Sequence, residues 1–180
     1  YSTGDCTMSL TKLNNQSLTA VTSAGLPAGT VLQVQSVTKT DVFSHSTSTY
    51  ADVTGLTVSI TPSSTTSKIL ISGHITTGGN DRSPRLVLLR GSTPICISTE
   101  TGGNVSILSD ARTGNVRHGV SNGFSFLDSP STTSEVTYKW QIKEGNSSGT
   151  VYVNKTGFTD SGIDANENAT STITLMEIAG

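Results

Sequence analysis

Three histidines, His45, His74 and His118, are the side chains best suited to move a proton near neutral pH or to hold a metal. They lie on separate segments, and none shares the short spacing to a second ligand that zinc sites use. His74 falls on the polar face of an alternating segment, where a ring faces solvent or bonds locally. Glycoside hydrolysis needs two carboxylates held across one bond. The candidates Asp128, Glu135 and Glu144 fall in or beside turns, with nothing that pairs them. Serine is so frequent that a Ser-His-Asp set can be drawn anywhere, and no Gly-x-Ser-x-Gly elbow is present. The expectation is a protein that is not an enzyme and carries no cofactor.

Other residue sets are weaker still. Asp164, Asn166 and Asn168 occupy the first three ligand positions of a calcium loop, but the glycine and the closing glutamate are missing. A solvated acidic loop is the expectation there. Arg112, Arg117 and His118 would suit an anionic glycan and suit an ordinary surface better. Asn15, Asn104, Asn146, Asn154 and Asn168 head Asn-x-Ser/Thr triplets, which arise by chance in such a chain. Of the two cysteines, Cys96 sits between Ile95 and Ile97 and is expected as a buried thiol. Cys6 lies in the leader, and spacing does not decide whether the two pair.

The bulk numbers set the class. The chain has 180 residues, 33% hydrophobic and only 13% charged, and Ser and Thr fill roughly a third of it. Thr packs on pleated surfaces, while Ser, Gly and Asn favour turns. A net charge of −2 gives no footprint for nucleic acid. No apolar stretch approaches a membrane span, and no secretory signal is visible, so neither nucleic acid nor membrane is an expected partner. Met8-Ser-Leu-Thr reads as a natural start, preceded by Tyr1 to Thr7; a chain begun there would leave its cell by lysis.

The elements that must carry these residues are strands. Residues 1–28 read as an extended N-terminal arm, and 29–180 as one domain. Strand signals run from Val31 to Val37, Leu56 to Ile60, Ile69 to Ile75, Arg85 to Arg90, Ile95 to Ser98 and Phe124 to Leu127. Val136, Tyr138, Trp140 and Ile142 alternate most cleanly with polar residues; Val151 to Val153 and Thr170 to Ile178 follow. Gly102 to Gly119 and Phe158 to Asn168 are the long loops. Many short strands without a long amphipathic helix predict an all-β jelly-roll β-sandwich.

The final strand adds a constraint. Ile173 and Leu175 face one side, Met176 and Ile178 the other, and an apolar strand of two faces needs cover on both. Arg85 to Leu89 has the same character. The expectation is a homo-oligomer with these strands near its axis, and Ile173, Leu175, Met176 and Ile178 as interface residues.

The order of motifs also resembles a known group. Leu26-Pro-Ala-Gly-Thr-Val-Leu-Gln-Val34 resembles the opening segment of small virion proteins and tail-fibre modules of marine and cyanobacterial phages. The runs Thr49 to Pro62, Ser67 to Ile71, Leu89 to Ile95, Gly123 to Pro130, Thr150 to Asn154 and Ser171 to Ile178 fit the same pattern in the same order. Together they cover about residues 26–180. The resemblance implies a TNF/C1q-like trimer with a central C-terminal strand, located on a virion or otherwise extracellular. Its role would be capsid decoration, head fibre or tail-fibre module. Its partners would be copies of itself, other virion proteins and a host-surface glycan. The short arm departs from the long shaft of a tail fibre and suits a decoration protein. Two readings from other classes stand beside it: a carbohydrate-binding adhesin domain, and a filament subunit polymerised through the N-terminal arm.

Overall fold

Val136, Tyr138, Trp140 and Ile142 lie on one face of a nine-residue strand, and all four are buried, while the residues between them are half-exposed. That period of two recurs along the chain and builds the fold. The computed structural model describes residues 26–79, 83–100, 105–108, 119–145, 149–156 and 168–180. Among the described residues the chain is all-β, with eleven strands in two antiparallel sheets. They are β1 (Val31–Lys39), β2 (Phe43–His45), β3 (Ala51–Ile60), β4 (Lys68–Gly79), β5 (Pro84–Arg90), β6 (Thr93–Ile95), β7 (Ile107–Leu108), β8 (Val120–Asp128), β9 (Val136–Glu144), β10 (Val151–Val153) and β11 (Ser171–Ile178).

The first sheet is organised on β4. One edge of β4 pairs with β8; the other pairs with β11 over its first half and β10 over its end, with β1 outside β11 and β2 outside β10. The second sheet runs β3-β9-β5-β6, with β7 also on β5. Inward residues from both sheets, among them Ile71, Ile75, Ile173 and Leu175 facing Leu86, Leu88, Trp140 and Ile142, form one core, so the fold is a β-sandwich.

Two local devices hold the first sheet in register. Gly73 is paired with Ile173, and a Cβ there would overlap the Thr172 carbonyl oxygen, so only glycine lets β4 and β11 approach. Phe124, paired with Gly73 from the other side, packs edge-to-face on Trp140 at 4.8 Å between centroids. The second device is Asn154, fully buried with φ 64° where the chain leaves β10. Asparagine tolerates that left-handed conformation. Its Nδ2 donates to the carbonyls of Lys39 (2.9 Å) and Asp41 (3.0 Å), and its Oδ1 accepts from Ser171 Oγ (2.5 Å). Its backbone N–H donates to Thr76 O at 2.9 Å. One residue thus ties the ends of β1, β4, β10 and β11.

A polar link joins the sheets. Arg90 Nη1 on β5 meets both carboxylate oxygens of Asp128 on β8 at 2.9 and 3.0 Å, and the Tyr138 hydroxyl on β9 donates to Asp128 Oδ2 at 2.7 Å. Burial, then the Asp128 carboxylate, pushes the Tyr138 phenol well above its ordinary range, so it stays a donor.

Two expectations about strands need correction. Arg85 to Leu89 lies in the second sheet, not beside β11, and its outward Val87 and Leu89 are already buried within the chain at 4% and 5% exposure. Their cross-strand neighbours Gln141 and Lys139 flank them in register. The strand expected from Ile95 to Ser98 instead ends at Ile95, and Cys96 turns out with φ 54°.

Asn154→Ala removes three hydrogen bonds at once and takes from the buried Lys39 carbonyl and the buried Ser171 hydroxyl their Asn154 partner. The expected loss is about 3 kcal/mol, given 1–3 kcal/mol per orphaned group, read as a lower urea midpoint with an unchanged slope.

Candidate functional site

Among the described residues, His45, His74 and Asp128 are spread over the sandwich and held in its hydrogen bonds. His45, the last residue of β2, holds Nε2 at 2.7 Å from Thr49 O and 2.9 Å from Thr47 Oγ1. His74 lies on the outward face of β4, with Nε2 3.1 Å from Thr170 O and Nδ1 3.0 Å from Thr172 Oγ1. His118, Arg112 and Arg117 lie outside the described residues. Asp128 is taken by Arg90 and Tyr138, Glu135 is exposed ahead of β9, and Glu144 is fully buried at the strand's end. Among the described residues no three His, Cys, Asp or Glu side chains gather as a metal site. Asp164 and Asn166 lie outside the described residues; Asn168 is exposed and bridges Lys155 through its backbone.

Cys96 corrects an expectation. It is exposed rather than buried, because β6 stops one residue earlier and the left-handed turn carries its side chain out of the sheet. Cys6 lies outside the described residues. Asn154, which heads a glycan triplet, is fully buried with both amide hydrogens engaged, so it cannot be an acceptor.

The expected interface residues divide by the pleat. Ile173 and Leu175 are fully buried in the chain's own core, so they are not available to a partner. Met176 and Ile178 point outward and are half-exposed. Register places Met176 beside Leu70 of β4 and Val34 of β1, and Leu70 beside Leu127 of β8. The result is one apolar row across four strands, Leu127–Leu70–Met176–Val34, with Val34 51% and Leu127 49% exposed. Ile178 and Val31 continue it on one side, where Lys68 is the marginal charge. On the other side come Ser125–Ser72–Thr174–Ser36 and Gly123–His74–Thr172–Thr38. Ser36 and Thr174 bond each other at 2.9 Å. Beside the apolar row this outer face therefore carries small side chains, with Lys68 and His74 as its ionisable groups. Cross-strand register makes it, and the alternation within any one strand does not reveal it.

The outer face of the second sheet contrasts with it. Asp52 receives Lys139 Nζ and Gln141 Nε2, each at 2.7 Å, and Lys139 first, then Gln141, holds the Asp52 carboxyl below its ordinary range. Lys143 Nζ lies 4.6 Å from the Tyr50 ring centroid. Burial lifts the Tyr50 phenol above its ordinary value, against the pull of nearby Arg85.

Sequence reading also missed Glu177, an inward charge on β11. Its carboxylate is buried and accepts from Gln33 Nε2 (2.6 Å), Ser63 N (2.7 Å) and Ser63 Oγ (2.7 Å). Burial raises its pKa, but the hydrogen bonds outweigh this and hold the group below the ordinary glutamate range. The anchored loop lies beside a hollow of about 360 Å³ lined by Leu32, Ser64, Thr66 and the terminal Gly180.

No protein-family model matches the chain, and no curated protein does. Among solved structures it is similar to one described as the structure of infectious bursal disease virus Gt strain, with a TM-score of 0.42 and 8% identity. The match covers 81% of this chain and 39% of that chain, well under half the length of the viral protein. A similarity this remote decides nothing about role.

A depressed folded-state pKa contributes stability that is present above the unfolded value and lost as pH falls through the folded one. Glu177 should therefore cost stability from about pH 4.3 downward. Glu177→Gln is expected to lower stability at pH 7 by about 1–2 kcal/mol, with the gap to wild type closing toward pH 2. Denaturant titrations across that range check this, and a gap constant with pH would contradict it.

Proposed function

We propose that this protein is a structural subunit of a virus particle, displayed on its surface and assembled as a homotrimer of jelly rolls through the outer face of the first sheet. The observation that carries the reading is the in-register apolar row Leu127–Leu70–Met176–Val34 on a nearly uncharged face. A soluble sandwich normally keeps such a face polar, and exposed apolar patches of this kind mark association surfaces.

The occupant that fits is a second copy of the chain. A nearly uncharged face, with Lys68 at its margin, meets its own image with little like-charge repulsion, and small Ser, Thr and Gly side chains allow close approach of sheets. Four strands of about eight residues present roughly 500 Å² at ordinary strand spacing and rise. A two-body interface of standard size needs about 800 Å² from each partner. Packing around a threefold axis adds the neighbouring strand edge and lets each subunit meet two others.

Strand order supports the jelly-roll reading. β8-β4-β11-β1 packs on β6-β5-β9-β3, and the chain crosses between the sheets at β2–β3, β3–β4, β4–β5, β7–β8, β8–β9 and β9–β10. The phage assignment draws on the ordered resemblance over residues 26–180. It includes capsid decoration, head fibre and tail-fibre module, with host attachment as a second role. The reading is non-enzymatic and involves no cofactor.

Light scattering on purified protein at micromolar concentration tests it. The expected mass is about 56 kDa, three times the 18.7 kDa chain. Met176→Glu is expected to give monomers with a native circular dichroism spectrum, because the residue points outward, while Met176→Leu keeps the trimer. A stable wild-type monomer contradicts the proposal.

A further inference from the structure

The outer face of the second sheet holds two cations where strand pairing should discourage them. Arg85 on β5 and Lys143 on β9 are direct cross-strand partners, and both point outward. Like charges in that position repel. Three other cations of the described structure have carboxylates, Lys139 with Asp52, Arg90 with Asp128 and Lys39 with Asp41, and Lys155 lies over the Tyr152 ring. Among the described residues no carboxylate lies in ion-pair range of Arg85 or Lys143.

Two further donors are idle at the same place. Arg85 Nε and the Tyr50 hydroxyl are both shielded from water without a hydrogen-bond partner, which costs free energy unless something completes them. Gly145 closes the spot: a Cβ there would stand 3.1 Å from Arg85 Nε, so the bare backbone leaves the guanidinium its room. Apolar surface flanks the cations on either side. Leu108 of β7, paired with Arg85, is 64% exposed, and the Tyr50 ring lies under the Lys143 ammonium.

The geometry points to a binding site for an acidic saccharide, whose carboxylate bridges Arg85 and Lys143 while its apolar ring face rests on Leu108. Guanidinium suits a carboxylate because its planar fork offers two parallel N–H donors, and the ammonium adds a point charge. Bringing an anion between the two cations relieves their repulsion, so binding draws on strain already in the sheet. The Lys143 ammonium exchanges its place over the Tyr50 ring for the bridge. The site lies on the sheet opposite the proposed assembly face, so a trimer presents three copies outward. It deepens the attachment role proposed above, yet an isolated subunit should carry it as well.

Titration of trigalacturonate into isotopically labelled protein, followed by amide shifts, tests the inference. Its methyl ester, which lacks the charge, and inorganic phosphate serve as comparisons. Shifts should map to β5, β9 and the Tyr50 turn, with the ester binding at least about tenfold more weakly, as loss of a charge-assisted hydrogen bond implies. Lys143→Met and, separately, Arg85→Gln should weaken trigalacturonate about tenfold, with melting profiles confirming that each variant folds. Affinity should fall as salt is raised. Equal binding of acid and ester, equal binding of inorganic phosphate, or affinity unchanged in Lys143→Met would overturn the proposal, as would no binding at millimolar ligand. Repeating the titration on Met176→Glu separates the two claims: a monomer that still binds leaves the saccharide site standing whatever becomes of assembly.

Discussion

The register between β4 and β11 is the constraint on which the rest of this structure depends. It sends Ile71, Ile75, Ile173 and Leu175 into the core, and by the same pleat sends Leu70, Ser72, Thr174 and Met176 out. A slip of one residue would exchange the two sets, placing Met176 and Thr174 in the core and the isoleucines in solvent. Gly73 permits the close pairing, and Asn154 closes the end of the sheet where β10 gives way to β11 beside β4. Core and outer face are therefore two consequences of one alignment.

The sandwich is polarised as a result. One outer face is nearly uncharged and carries an apolar row; the other carries Asp52, Lys139, Lys143 and Arg85. A subunit of that kind has a natural inside and outside. The proposed trimer covers the first face and leaves the second to solvent, where ionic strength and ligand charge act on it. His45, His74 and the buried Asp128 are held in local hydrogen bonds that serve the fold.

Much of the fold was legible in the sequence because alternation is local. β9 could be read residue by residue, and β11 to within one residue of its start. What was not legible is what depends on pairing between distant segments. Ile173 and Leu175 looked as open to a partner as Met176, since the sequence does not reveal which face the sheet buries. Val87 and Leu89 looked uncovered because the stems of Lys139 and Gln141 that flank them lie on another strand. Asn154 looked like a chance glycan triplet, and its signal as a structural residue was only its type at a turn. Cys96 was misread because an apolar triplet suggested strand where the chain turns. The opposition of Arg85 and Lys143 exists only once β5 and β9 are aligned.

Met176 offers the most direct test of assembly through the first sheet, because its thioether reports its own exposure by oxidation. Dilute peroxide should be applied across a protein concentration series spanning the dissociation of the assembly, with free methionine as internal standard, and sulfoxide read by peptide mass spectrometry. The account predicts slow oxidation of Met176 in the assembled protein and a rise toward the rate of a half-exposed residue as the subunits separate. A Met176 rate that is the same in assembled and dissociated protein would contradict it.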